Sequence, residues 1–382
     1  HVAGPYCTKL MSGFGARVVK VEPPRTGDPQ RGVGPFVRGE PGIERSLPFQ
    51  WLNTGKESIS LSLEGATGVS ILKRLIGLAD VLIESFPPGA MDRLGLDDGT
   101  VSRINPRIVR TSITGFGADG PYSGFTTTEA VSYAMSGGMV STGDPARAPL
   151  APGPAVTQYT AGMHAYIGTL MALYRREKVG AGERVEVSIQ ESALENIEVH
   201  LVEHLHKGAV ARRTADTHAM VPWQCHPCAD GLVAVVGGPI RHWLKAVPMF
   251  EEPRLSDPKY RHMGGRIQNR AEVESLMSPW LRRHGKREIY HEGQKRGLAF
   301  GYLANLEEST RSPQHAARGF IRTIEHPVAG SLRMPGPPFR FEEDGWRDKR
   351  APLLGEQNEA VYAGMLNLSS DEMGRLSAEG VI

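Results

Sequence analysis

Short apolar runs of strand length limit the folds open to this chain most strongly. Asp80–Glu84 holds three consecutive apolar residues, and Arg107–Thr114 holds the pair Ile108-Val109 with Ile113 four residues further on. Such runs are typical of strands buried on both faces of a parallel sheet that is covered by helices. They therefore predict an α/β fold, whose ligands bind in the crevice outside the carboxyl ends of the strands.

The composition argues against several classes of partner. The 382 residues are 40% hydrophobic and 23% charged, as in ordinary globular proteins, and the net charge is +2. So small a charge predicts no general attraction to nucleic acid or to an anionic membrane. No apolar run approaches the roughly 18 residues of a membrane span, and three cysteines are too few for a disulfide framework. We expect a cytoplasmic protein.

A junction between a loop and a helix is the first candidate for a functional site. Residues 153–162, rich in glycine and alanine, lead into a helix that extends to Arg176. Apolar side chains recur along this helix at steps of three and four residues, which predicts a buried face made of Ile167, Leu170, Met171 and Tyr174. A buried helix holds a polar residue at its start in a fixed position. Gln158 lies at that start.

Two motifs that suggest other chemistry fail on their spacing. Asn53–Lys56 contains a Gly-Lys pair, but the earlier glycine and the following Ser or Thr of a phosphate-binding loop are absent. Cys225 and Cys228 form a C-x-x-C motif inside a predicted hairpin, Val221–Val236. A zinc site needs two further ligands at fixed spacing, and a redox dithiol needs a helix start. We predict no metal site.

Several motifs in a fixed order make the whole chain resemble the class III coenzyme A transferases, a family that also contains alpha-methylacyl-CoA racemase. They comprise Lys20–Pro24 with Gly27–Arg31, Ser85–Gly95, Gly115–Pro121, Gly153–Glu191 and the tail from His326 to Glu356. The resemblance implies a Rossmann-like large domain with an inserted smaller α+β domain, in dimers whose chains thread through each other. Family members have a short apolar strand just before the position of His1, so we expect a first strand to be missing there.

The resemblance and the composition together predict the domain boundaries. Residues 1–206 form the large domain, which residues 335–382 complete. A polar and basic linker, 207–220, leads to the smaller domain, 221–325, and residues 326–334 lead back.

In this family coenzyme A is a substrate, and the resemblance carries its contacts over to this chain. Lys20 and Arg31 would line the nucleotide side of the cleft. Phe86 would lie against the adenine, Ala90 would offer backbone contacts, and Arg93 would reach a phosphate, to which a guanidinium can donate two parallel hydrogen bonds. The other candidates in that loop are Ser85, where the family has asparagine, and Leu94.

Gln158 is the main departure from the family pattern. The family has an aspartate at this position, which attacks the acyl-CoA thioester to form a mixed anhydride and then an enzyme-bound CoA thioester. A neutral primary amide is a far poorer nucleophile than a carboxylate. Thr128–Glu129 stands where the racemases have His-Asp, so Glu129 is a candidate second acid.

Three functions follow from the resemblance. The favoured one is a CoA-transferase subunit that lacks its own nucleophile and pairs with a homologous chain, as a heterodimer or heterotetramer; benzylsuccinate CoA-transferase is a family member built from unlike subunits. Its substrates would be an acyl-CoA and a small carboxylic acid. The second function is a homodimeric acyl-CoA enzyme of racemase-like or isomerase-like chemistry that uses Glu129. The third is a non-catalytic acyl-CoA-binding protein.

Overall fold

The computed structural model describes residues 2–215, 218–343 and 345–382, apart from the side chain of Glu198. The strands in these ranges are β1 (Val19–Glu22), β2 (Glu57–Ser60), β3 (Val81–Glu84), β4 (Val109–Thr114), β5 (Arg184–Ser188), β6 (Trp223–Cys228), β7 (Gly231–Val236), β8 (Gly301–Tyr302), β9 (Ile321–His326) and β10 (Gly330–Pro335). The helices are α1 (Ala3–Gly13), α2 (Leu47–Leu52), α3 (Ala66–Leu78), α4 (Ala90–Arg93), α5 (Asp98–Ile104), α6 (Glu129–Met135), α7 (Gly138–Ser141), α8 (Val156–Val179), α9 (Ile189–Glu195), α10 (Glu198–Lys207), α11 (Ile240–Ala246), α12 (Met263–Gln268), α13 (Arg270–Arg283), α14 (Lys286–Lys295), α15 (Leu306–Thr310), α16 (Pro313–Ala317), α17 (Asn358–Tyr362) and α18 (Ser370–Ala378). Among the described residues, no helix combines the length and the hydrophobicity needed to cross a bilayer.

Strands from the first half of the chain form parallel sheets. β1 pairs with β2, and β4 lies between β3 and β5 in a second parallel sheet. Helices alternate with these strands along the sequence, as parallel connections require. This arrangement confirms the α/β class that the apolar runs predict.

Antiparallel pairing characterises the later strands. β6, β7 and β8 form one sheet, and β9 pairs with β10 in another. The hairpin predicted at Val221–Val236 is present, with Cys228 opposite Gly231 at its turn.

The chain divides into two compact units, and each is discontinuous in sequence. Unit 1 contains residues 1–139, 151–210 and 316–382, and unit 2 contains residues 140–150 and 211–315. The return to unit 1 thus comes earlier than the predicted 326–334, because the β9–β10 hairpin buries Leu332 and Met334 against Leu47 and Trp51. Residues 216 and 217 of the predicted linker lie outside the described residues.

The apolar pattern from Gln190 to His206 alone predicts one long helix, but the structure has two separate helices there, α9 and α10. Ile197 lies between them with φ −118° and ψ 32°, outside the helical region. Asn196 donates a side-chain hydrogen bond to Thr160 Oγ1, at 3.4 Å. Asparagine competes with the helical backbone for hydrogen bonds, which favours a break at this position.

Candidate functional site

The starts of α1 and α8 meet at the candidate site. Ala155, with φ 63°, turns the chain into α8. Gly162, about two turns further on, packs so close to α1 that a Cβ atom there would lie 2.7 Å from the carbonyl oxygen of Ala3. Glycine at this position therefore lets the two helices approach each other, and brings Val2 next to Gln158.

Gln158 is held by the backbone of the first turn of α1. Its Oε1 atom accepts a hydrogen bond from the amide of Val2, at 2.9 Å. Since only the oxygen of a carboxamide can accept, this contact fixes which way the side chain lies. The NH₂ group of Gln158 has no acceptor in the part of the chain that the structure describes.

Glu129 serves as the cap of α8. Its two carboxylate oxygens accept from the amide of Thr157, at 2.7 Å, and from the Thr157 hydroxyl, at 2.6 Å. A carboxylate at a helix N-terminus satisfies unpaired amides and interacts favourably with the helix dipole. This contact ties Glu129 to the start of the helix that carries Gln158, and both oxygens are already hydrogen-bonded.

The loop after β3 reaches the same end of α1. A Cβ atom on Gly4 would lie 3.5 Å from Ser85 Oγ, so Ser85 and Gln158 both adjoin the first turn of α1. Glu84 Oε2 accepts from the amide of Phe86, at 2.7 Å, which holds the start of the loop. Burial raises the pKa of Glu84.

The helix in this loop, α4, is a single turn whose backbone is largely hydrogen-bonded within itself. The amide of Ala90 donates to the carbonyl of Pro87, and the amide of Leu94 donates to the carbonyl of Ala90. Leu94 also packs against the core of unit 1. Both residues therefore stabilise the turn that presents Arg93, an exposed side chain without an acidic partner in the described chain.

Phe86 lines a cleft of about 270 Å³ along the β3–β4–β5 sheet, and its ring is 44% exposed. The cleft also contains Arg110 and Arg184, but both pair with Asp98. Their charges are thus compensated, whereas Arg93, next to Asp92 of the cleft wall, has no acidic partner among the described residues.

A family model described as CoA-transferase family III matches residues 1–358. The chain belongs to this family. The formyl-CoA:oxalate CoA-transferase of Streptomyces avermitilis is 34% identical, over 100% of this chain and 97% of that protein. Subunit BbsE of the succinyl-CoA:(R)-benzylsuccinate CoA-transferase of Thauera aromatica is 31% identical, over 94% of this chain and 90% of that subunit.

A solved structure of a CAIB/BAIF family protein from Brucella suis has the same fold. It superimposes with a TM-score of 0.83 at 28% identity, and covers 95% of this chain and 96% of its own. Together with the family match, it confirms that the resemblance extends over the chain as a whole.

Lys20 and Arg31 are the two residues near β1 that the family resemblance predicts to contact the nucleotide. Both lie in a buried network of charges. Arg31 is fully buried, donates to both oxygens of Glu22 at 2.7 and 2.9 Å, and donates to Glu44 at 2.7 Å. Lys20 pairs with Asp28 at 2.5 Å, and Asp28 also receives the amide of Gln30. These contacts give both residues a structural part, and a contact with nucleotide stays a prediction for each.

A cluster of three aromatic rings near Gln158 is not predicted from the sequence. Tyr6 of α1 lies 4.9 Å from Tyr159 and 5.9 Å from Trp51, centroid to centroid, and Trp51 lies 5.6 Å from Tyr159. Burial raises the pKa of both tyrosines, so their hydroxyl groups stay neutral at physiological pH. The position of Tyr159 directly after Gln158 is the one sequence signal for this cluster.

The apolar face of α8 that the sequence predicts to be buried is instead exposed to solvent in the single chain. Ile167, Met171 and Tyr174 are 53%, 67% and 68% exposed. The buried face consists of small residues, among them Ala161, Gly162 and Ala165. The prediction was wrong because helical periodicity identifies an apolar stripe without saying what covers it.

In the structure, neither the Gly-Lys pair at Asn53–Lys56 nor the C-x-x-C motif of Cys225 and Cys228 forms a binding site for phosphate or metal among the described residues. Lys56 is buried, and its Nζ donates to the Pro5 carbonyl at 2.8 Å and to Asn53 at 2.9 Å. Burial lowers its pKa. Cys225 and Cys228 lie three residues apart on β6 and so point to opposite faces of the sheet. Within the described ranges, no three metal-ligating side chains come together.

Proposed function

We propose that this chain is a CoA-transferase subunit that lacks its own nucleophile, and that a homologous chain supplies the catalytic aspartate. The complex transfers CoA between an acyl-CoA and a carboxylic acid. The observation that carries the proposal is the carboxamide of Gln158 at the family's aspartate position, held by the amide of Val2 at 2.9 Å. A carboxamide provides no anionic oxygen to attack a thioester, although it can still hydrogen-bond to one.

The relatives support both parts of this proposal. Formyl-CoA:oxalate CoA-transferase exchanges CoA between acids, and BbsE is by name one subunit of a benzylsuccinate CoA-transferase. A chain that works beside a second, unlike chain can lose one nucleophile while the complex keeps its activity. The cytoplasmic location stays a prediction.

Racemase-like chemistry through Glu129 has less support. Both oxygens of its carboxylate are hydrogen-bonded to Thr157, and withdrawing them would uncap α8. A purely acyl-CoA-binding role is compatible with Gln158, and activity measurements on the complex separate it from the favoured function.

The proposal is tested by producing this chain together with a homologous chain from the same organism that has aspartate at the position of Gln158. We expect a stable complex that exchanges CoA between succinyl-CoA and an acceptor acid such as oxalate or benzylsuccinate. Neither chain alone should reach the rate of the complex. Full activity of the second chain alone, unchanged by this one, would contradict the proposed subunit role.

Arg93→Ala is expected to weaken the binding of coenzyme A. A lost charge-assisted hydrogen bond to phosphate costs roughly 1.5–3 kcal/mol. Isothermal titration of CoA into both proteins measures the effect. Arg103→Ala, on the neighbouring helix α5, serves as the control, and equal affinity in Arg93→Ala and the natural chain would remove Arg93 from the site.

The exposed face of α8 predicts a tight association with a partner chain. We propose a Rossmann-like fold in an interlocked dimer, which the parallel sheets and this apolar face support. Ile167→Lys combined with Met171→Lys should therefore release monomers or aggregates, because it places two charges in the interface. Mass photometry at nanomolar concentration is the measurement, with Arg375→Ala, an exposed arginine on α18, as the control. A natural chain that is monomeric in this assay would contradict the interlocked arrangement.

A further inference from the structure

A second cavity in unit 1 lies apart from the candidate site. Its volume is about 590 Å³, and it opens between the end of α1, the segments that enter β1 and β2, and residues 347–357. The Phe86 cleft and Gln158 contribute none of its lining. The cavity sits at the amino-terminal ends of β1 and β2, whereas the loop at Ser85 follows the carboxyl end of β3.

The lining of this cavity is basic. It includes five cationic side chains against two carboxylates, Glu57 and Glu356. Arg17 pairs with Glu57 at 2.8 Å, and Arg350 pairs with Glu356 in two hydrogen bonds. Those hydrogen bonds from Arg350 lower the pKa of Glu356 to about 2, so the pair stays ionised. Lys56 directs its Nζ inward, to Pro5 and Asn53.

Two cations of the lining remain unpaired within the described part of the chain. Arg347 and Lys349 are exposed, and neither has an acidic partner among residues 2–215, 218–343 and 345–382. Arg347 extends over Gly15, where a Cβ atom would lie 3.3 Å from its Nη2. Gly15 has φ 107° and keeps this approach open. The cavity therefore has an uncompensated positive charge at its mouth.

We propose that this cavity binds a small molecule with at least two phosphoryl groups. Its volume falls in the range of ligand pockets, about 300–1,000 Å³. Arg347 offers a fork that matches two phosphate oxygens, and Lys349 offers a point charge two residues away. The pairs at Arg17 and Arg350 fix the walls and leave these two side chains to the ligand.

The test is a calorimetric titration of inorganic pyrophosphate into the natural chain at about 0.15 M salt, where charges are screened as they are in the cell. We expect saturable binding of one pyrophosphate per chain, weakened about tenfold or more in Arg347→Ala/Lys349→Ala, as expected for lost charged hydrogen bonds. Arg375→Ala, an exposed arginine on α18, should bind as the natural chain does. Arg347→Lys keeps the charge without the fork and should fall between the two. Thermal unfolding of each variant verifies that it is folded.

Several results would overturn the proposal. They are absence of saturation at millimolar pyrophosphate, an equal loss in Arg375→Ala, and competition by citrate as strong as that by pyrophosphate. The cavity must also be distinct from the CoA site. Loss of CoA affinity in Arg347→Ala/Lys349→Ala would assign the cavity to coenzyme A and remove the second site.

Discussion

Gln158→Asp is expected to give this chain a covalent CoA-thioester intermediate that the natural chain does not form. Incubation with succinyl-CoA followed by mass spectrometry should find CoA on the introduced carboxylate in the variant and no adduct on the natural chain. The reason is the anionic oxygen that aspartate supplies at the position of a neutral amide. Removal of an activated nucleophile costs about 10⁶ in rate elsewhere, so the rate of transfer should rise by orders of magnitude.

Two further variants isolate the charge from the size of the side chain. Gln158→Asn matches the volume of aspartate without its charge and should stay inactive. Gln158→Glu keeps the length of glutamine, and so the reach that places its oxygen 2.9 Å from the amide of Val2. A hydroxamate at Glu129 after treatment of the natural chain with succinyl-CoA and hydroxylamine would show that another carboxylate has taken over. The proposed loss of the nucleophile would then be wrong.

Arg31→Met is expected to destabilise the protein by about 3–5 kcal/mol, because it leaves Glu22 ionised, buried and unpaired. The side chains of Arg31 and Glu22 are both fully buried. Chemical denaturation of the natural and variant proteins measures the difference in the free energy of unfolding. Arg17→Met is the matched control, since the Arg17–Glu57 pair has the same chemistry but is 50% and 30% exposed, and such a pair contributes about 0–1 kcal/mol. Equal costs in the two variants would contradict a structural role for the buried pair.

The pH dependence of this difference has a definite sign. Burial by itself raises the pKa of Glu22, but the hydrogen bonds and charge of Arg31, with smaller contributions from Lys20 and Ser58, outweigh it, and the pKa lies below its usual value. The stabilisation is therefore complete above the unfolded-state pKa of about 4.3, and is lost as the pH falls through the lower folded pKa. In Arg31→Met, only the charge of Lys20 and the hydrogen bond from Ser58 are left to oppose burial. We expect the difference between the two proteins to shrink as the pH is lowered from neutral towards about 4, the unfolded-state value.

Local sequence signals predict much of the fold. Asp80–Glu84 and Arg107–Thr114 contain β3 and β4, because short segments rich in apolar residues and bounded by turns favour strands. The break at Asn196 could not be predicted from periodicity alone, because it depends on a hydrogen bond to Thr160 of another helix.

The sequence alone determines that Gln158 stands where the family has its aspartate, that the loop after β3 contains Arg93, and in which order the family motifs follow each other. These are properties of residue identity and of short-range pattern. The tertiary structure decides what those residues contact: Arg31 binds Glu22 and Glu44 inside the protein, Glu129 caps α8, and the apolar stripe of α8 faces outward. Each outcome depends on partners distant in sequence, since burial and pairing are set by the packing of whole elements.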